Sequence, residues 1–174
     1  MNSLLEESKK YRKLADELLG SSKLIPVLEK FGEIKFVGSY VARLQMSGDI
    51  DIHVLRDKSF TKDETLLIFN EIVKNTRFNS YYIGDWNSTN LHPEFPEGYY
   101  IGLKIWFADE KWKIDIWLMS NVEQEKFDRE HFDIVKANIT SEQREEILRL
   151  KKHRRENNLK ISGQEIYEKV LKVK

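Results

Sequence analysis

The chain has 174 residues, 40% of them hydrophobic and 33% charged, which excludes a disordered polymer and is long enough for one sizeable core. Lys+Arg and Asp+Glu are both 29, and a net charge of zero argues against bulk electrostatic binding to nucleic acid or membrane. The absence of cysteine excludes disulfides, a thiolate nucleophile and cysteine-ligated zinc.

The opening MNSLLEESKKYRK holds no apolar leader, and no run of apolar residues is long enough to span a membrane, so a soluble, cytoplasmic protein is expected. Ser3 with Glu6 forms a capping box for a first helix, with Leu4, Tyr11, Leu14 and Leu18 on one face and Gly20 as its stop. A short helix is expected from Pro26 to Phe31, closed by Gly32. Glu33 to Gly38 reads as a buried strand, Tyr40 to Leu44 as a helical turn, and Asp49 to Leu55 as a strand of period two. Thr61 and Glu64 open a helix to about Lys74, with Leu67, Ile68, Ile72 and Val73 inward.

A strand near Phe78 to Ile83 leads into GDWNSTNLHPEFPEG, Gly84 to Gly98, which is long for a plain connection and is a candidate binding loop. YYIGLKIWF and KWKIDIWLM read as a hairpin turning at Ala108 to Glu110. Caps at Asn121, Thr140 and Ser162 predict three closing helices. The fold class is therefore α+β (α/β), a mixed sheet of about five strands flanked by helices. Residues 1–120 form the expected core with its N-terminal helices, and 121–174 a helical extension packed on it as one compact domain.

Chemistry concentrates in GSYVARLQMSGDIDIHV, Gly38 to Val54. Strand interiors are depleted in Asp, yet Asp49 and Asp51 alternate with Ile50 and Ile52. Alternation puts Asp49, Asp51 and His53 on one face. KIDIWL, Lys113 to Leu118, repeats the grammar, with Asp115 opposite Ile114, Ile116 and Leu118. Neighbouring strands lie roughly 4.8 Å apart, so adjacency of these two would gather three carboxylates. Such a cluster needs positive charge, no Lys or Arg stands between Asp49 and Asp51, and a divalent cation answers the need. Gly38-Ser39 adds close backbone approach and a hydroxyl at a place suited to phosphate.

FVGS (Phe36 to Ser39), DID (Asp49 to Asp51) and IDI (Ile114 to Ile116) together resemble the nucleotidyltransferase fold of the DNA polymerase β superfamily, over roughly residues 24 to 119. The resemblance implies two Mg²⁺ ions (or Mn²⁺), an NTP, and transfer of a nucleoside monophosphate to a hydroxyl. It implies that Gly38 and Ser39 hold NTP phosphate, that Asp49 and Asp51 ligate metal, and that Asp115 ligates the catalytic metal and helps activate the acceptor. One departure is Ser47-Gly48-Asp49, where many members carry Ser-Asp directly. The expected acceptor is a small molecule such as an aminoglycoside or lincosamide, with a tRNA 3′ end or a protein hydroxyl as alternatives. No membrane partner is expected, and the sequence does not fix the oligomeric state.

Other residues carry weaker signals. Arg43 is a candidate partner of the triphosphate or an exposed side chain, and Lys104 a candidate phosphate contact or an edge-strand lysine. His53 is expected at the surface near a strand end. Trp106, Trp112 and Trp117 read as core or cross-strand packing, and Trp86 opens the long loop. Arg149 to Lys160 carries six basic residues and one acid, and reads as a solvated helix face or an anionic-acceptor contact. Two competing functions remain: an Mn²⁺-dependent glycosyltransferase using Asp-x-Asp on nucleotide sugars, and a non-catalytic binding module of the same fold.

Overall fold

Five runs of β-branched and aromatic residues line up into one sheet in the computed structural model, which describes residues 3–87 and 95–172. The strands are β1 (Glu33–Val37), β2 (Gly48–Arg56), β3 (Ser80–Asp85), β4 (Tyr99–Phe107) and β5 (Glu110–Ser120). Their spatial order is β1-β2-β5-β4-β3. Among the described residues only β2–β5 is parallel and the other three pairings are antiparallel, so the sheet is mixed. The β4–β5 turn places Ala108 and Asp109 both at positive φ (51° and 60°), the twist that a two-residue hairpin needs.

Helices cover both faces: α1 (Ser3–Ser22), α2 (Leu24–Leu28), α3 (Gly38–Ala42), α4 (Lys62–Asn75), α5 (Asn121–Glu130), α6 (Ser141–Glu156) and α7 (Gly163–Leu171). Capping boxes start α4, α5, α6 and α7 from Thr61, Ser120, Thr140 and Ser162. Three of these are the caps expected from sequence. The fourth shifts by one residue, because the Ser120 hydroxyl accepts from the Glu123 N–H and Asn121 is the first helical residue.

Alternation sorts the strands into two faces. Ile50, Ile52, Val54, Ile101, Leu103, Ile114, Ile116 and Leu118 are all at most 1% exposed on one side. They share a core with Leu18, Leu24, Leu28, Ile68 and Ile72 from α1, α2 and α4. A second apolar cluster joins Leu44 and Met46, just before β2, to Ile147, Leu148, Ile166 and Tyr167 of α6 and α7.

Three local expectations are corrected. Gly20 does not stop α1, which runs on to Ser22, since a lone glycine late in a helix only weakens it. Leu67 and Val73 stay 55% and 42% exposed, because Thr65, Ile68 and Ile72 already fill the buried stripe of α4. The second helix begins at Leu24, ahead of Pro26, and ends at Leu28. Of the expected binding loop, residues 88–94 lie outside the described residues, while Gly84 and Asp85 belong to β3.

Candidate metal and active site

The opposite face of the same strands holds the site. Pairing sets Asp51 beside Asp115, Asp49 beside Lys113 and His53 beside Trp117. On β4, Gly102 stands beside Asp115, Tyr100 beside Trp117 and Lys104 beside Lys113. The acids expected to converge therefore do so: one carboxylate oxygen from each of Asp49, Asp51 and Asp115 lies within 4.8 Å of the others. Gly38 closes in from the end of β1 with φ +65°, and a Cβ there would stand 2.7 Å from Asp51 Oδ2. Glycine is required on both counts.

Burial and repulsion raise the cost of ionising Asp49 and Asp51. Burial pushes Asp51 well above the usual carboxylate range, and the charges of Asp49 and Asp115 push the same way. Asp49 is raised too, chiefly by burial, with Lys113 working against the shift. Asp49 keeps 38% of its side-chain surface, yet its Oδ1 is buried and accepts no hydrogen bond from the described residues. Three hard oxygen donors, one of them orphaned, are a set that can hold a metal ion.

Two lysines that sequence reasoning missed supply positive charge. Lys113 Nζ lies 2.6 Å from Asp115 Oδ2 and 3.9 Å from Asp49 Oδ1. Burial works against its charge, but Asp49 and Asp115 outweigh it and hold Lys113 above the usual lysine range. Lys151 of α6 is only 4% exposed and donates to the Tyr167 hydroxyl at 3.1 Å. Burial lowers it to about 8, while Asp49 and Asp51 act in the other direction, so the ammonium persists at neutral pH. The basic run from Arg149 to Lys160 is thus not simply a solvated face. Besides Lys151, Arg155 bonds Glu7 at 2.6 Å and the Tyr11 hydroxyl at 2.9 Å, tying α6 to α1.

A cavity of about 860 Å³ opens over this face. Gly38, Asp51, Lys104, Lys113 and Asp115 line it, whereas Ser39, Arg43 and Asp49 are not part of its wall. Ser39 is 8% exposed in the first turn of α3, and Arg43 is exposed at that helix's left-handed C-cap. The far end is aromatic: Trp117 stands 5.1 Å from Tyr100 and 6.3 Å from Trp86 between ring centroids. Trp112, by contrast, is core, and Trp106 is 58% exposed.

His53 is corrected from a surface residue to a buried one. It is 3% exposed, with Nδ1 2.5 Å from Gln124 Oε1. The Gln124 amide nitrogen donates to Asp128 Oδ1 at 2.6 Å, so its oxygen faces the histidine and Nδ1 carries the proton. Burial lowers His53 to about 4 and keeps the ring neutral at pH 7. Tyr100 was also missed. Its hydroxyl donates to Asp115 Oδ1 at 2.5 Å, and its pKa is raised by burial and by that acid. The signal was present in the alternation of β4, but it becomes legible only once β4 is known to pair with β5.

No protein-family model matches the chain, and no curated protein matches it. Among solved structures, it is similar to a chain in the complex of the non-canonical poly(A) polymerase GLD-2 with GLD-3, at 13% identity and a TM-score of 0.42. That likeness covers 68% of this chain and 41% of the other, so this chain spans less than half the length of its structural neighbour.

Proposed function

We propose that this protein is a metal-dependent nucleotidyltransferase that moves a nucleoside monophosphate from an NTP to an acceptor hydroxyl. The observation that carries the reading is the meeting of Asp49, Asp51 and Asp115 within 4.8 Å on two adjacent parallel strands. Asp49 and Asp51 would hold Mg²⁺, two ions with the help of Asp115, and Mn²⁺ serves the same ligands. The cation supplies charge neutralisation on the attacking and leaving oxygens of an in-line transfer.

The chain's own residues do the positioning. Gly38 leaves the space beside Asp51 open to a phosphate, since any side chain there would strike the carboxylate. Ser39 is assigned to the same phosphate, with Lys104 and Lys113 as the cations on the cavity wall. Arg43 would have to swing in from outside that wall. Asp115 accepts the proton of the acceptor hydroxyl, which then attacks the α-phosphate as pyrophosphate leaves. A cavity of about 860 Å³ matches a small-molecule acceptor better than a folded nucleic acid, while a tRNA end or a protein hydroxyl remains an alternative.

A second reading, a non-catalytic binding module, is favoured by one observation. Both oxygens of Asp115 are already bonded, to Tyr100 and to Lys113. Thermal unfolding with each of ATP, GTP, CTP and UTP, in Mg²⁺ or EDTA, separates these readings when followed by transfer from labelled NTP. A metal-dependent shift is expected, about 2.7 kcal/mol at a hundred times Kd, and it disappears in Asp49→Asn/Asp51→Asn. Binding without label transfer to any acceptor supports the module, and no shift with any nucleotide defeats the catalytic reading in the module's favour.

A further inference from the structure

Asp115 is held in an unusual way for an acid with a proposed ligand role. Its Oδ1 accepts from the Tyr100 hydroxyl at 2.5 Å, and its Oδ2 is 2.6 Å from Lys113 Nζ. Lys113 lies two residues from Asp115 on the same face of β5, whereas Tyr100 reaches it from the neighbouring strand. Tyr100 pairs across the strand with Trp117, so its ring must lean along the sheet to reach Asp115. It can do so because residue 102 is glycine: a Cβ there would stand 2.6 Å from the Tyr100 hydroxyl. Lys113 sits directly opposite Lys104 on β4, and like charges in that position repel. On its other side it faces Asp49 on β2, and its ammonium turns that way.

The Lys113 ammonium thus stands between Asp115 Oδ2 and Asp49 Oδ1, 2.6 and 3.9 Å from them. A cation shared by those two acids needs the same lone pairs and the same place. An ammonium and a divalent ion compete for it, and so do a Tyr100 hydroxyl and an acceptor hydroxyl competing for Oδ1.

We infer that Lys113 and Tyr100 are positioning residues that hold Asp115 back from the cation until nucleotide and acceptor arrive. This rests on the proposed function. An anionic phosphate oxygen entering the cavity draws Lys113 off Asp115, since Lys113 lines that cavity with Lys104. An acceptor hydroxyl then replaces Tyr100 on Oδ1, where its proton is needed. The third acid is therefore recruited by substrate, and Asp49 and Asp51 take the first ion alone.

Manganese titration of the protein without nucleotide, read by the electron-spin signal of free Mn²⁺, tests this without any turnover. Lys113→Met is expected to bind Mn²⁺ about tenfold more tightly than wild type, the effect of removing one partly exposed charge about 4 Å away. Tyr100→Phe is expected to gain about threefold, since it frees a single hydrogen bond. Asp115→Asn should erase both gains, and a non-hydrolysable NTP analogue should shrink the difference between wild type and Lys113→Met. A purely structural ion pair would do the opposite and weaken binding when broken. Lys113→Gln, melted alongside, serves if the methionine variant does not fold. Unchanged or weaker affinity in the Lys113 variants, with Asp51→Asn still lowering it, overturns this inference and leaves the proposed function standing. Mn²⁺ binding indifferent to Asp51→Asn overturns both.

Discussion

The two faces of the central sheet are made by the same strands and differ in every other respect. Ile50, Ile52, Ile114 and Ile116 are wholly buried on one side, while Asp49, Asp51, Lys113 and Asp115 are their immediate neighbours on the other. The back face is apolar, closely covered by α1, α2 and α4, and carries the hydrophobic stabilisation. The front face crowds like charges and leaves an acceptor oxygen unbonded. Stability and chemistry are thus separated by the thickness of one strand, and alternate residues can be changed to disturb one without the other.

The sharpest way to break that separation is Asp51→Asn. It should reduce nucleotide transfer by about a thousandfold, as loss of a group aimed at transition-state charge does. The same variant should melt at or above wild type near neutral pH. Burial and two neighbouring acids raise the folded pKa of Asp51, so its ionisation opposes folding once the pH exceeds the unfolded value. A variant that loses both activity and stability would show that the faces are not independent. Ile116→Ala is the converse. Denaturant unfolding should show a loss of about 2–5 kcal/mol, with cation affinity of the folded fraction retained.

His53 tests the boundary between the faces, because it belongs to the cavity side yet is buried like core. Its folded pKa, about 4, lies below the unfolded value, so protonation favours the unfolded chain. The stability it permits is complete above about pH 6.5 and is lost as the pH falls towards 4, by about 3 kcal/mol in all. Urea unfolding across that window should show the decline, and His53→Asn should flatten it. The smallest effect is expected from Gly38→Ala. The left-handed backbone adds about 1–2 kcal/mol of strain, and the new Cβ, 2.7 Å from Asp51 Oδ2, displaces the carboxylate. Mn²⁺ affinity should fall more in this variant than the melting temperature does.

Much of this was readable from the residues. Period-two alternation put Asp49, Asp51 and Asp115 on charged faces, and the capping boxes at Thr61, Thr140 and Ser162 placed three helix starts. The convergence of the acids needed one further fact, that β2 pairs on one edge with β1 and on the other with β5, a strand distant in sequence. Pairing across a crossover is a tertiary choice that local pattern does not encode. Lys151 was misread for a related reason: a lysine in a basic run is ordinarily solvated, and only the packing of α6 against α7 reveals this one as buried. His53 hid in the same way, since nothing adjacent to it in sequence predicts that Gln124 covers it.

The single parallel pairing has a consequence for the life of the chain before it is folded. Asp51 and Asp115 become neighbours only after α4, β3 and β4 have been laid down between them and β5 has inserted beside β2. Local hairpins such as β4–β5 form early and cheaply, whereas this long closure comes late. Until β5 joins β2, a molecule presents Asp49 and Asp51 on their own strand without Asp115, and the three-acid cluster is assembled only by that pairing. A cation held by all three acids would span β2 and β5, and so would act as a latch on the one pairing that joins sequence-distant strands in parallel.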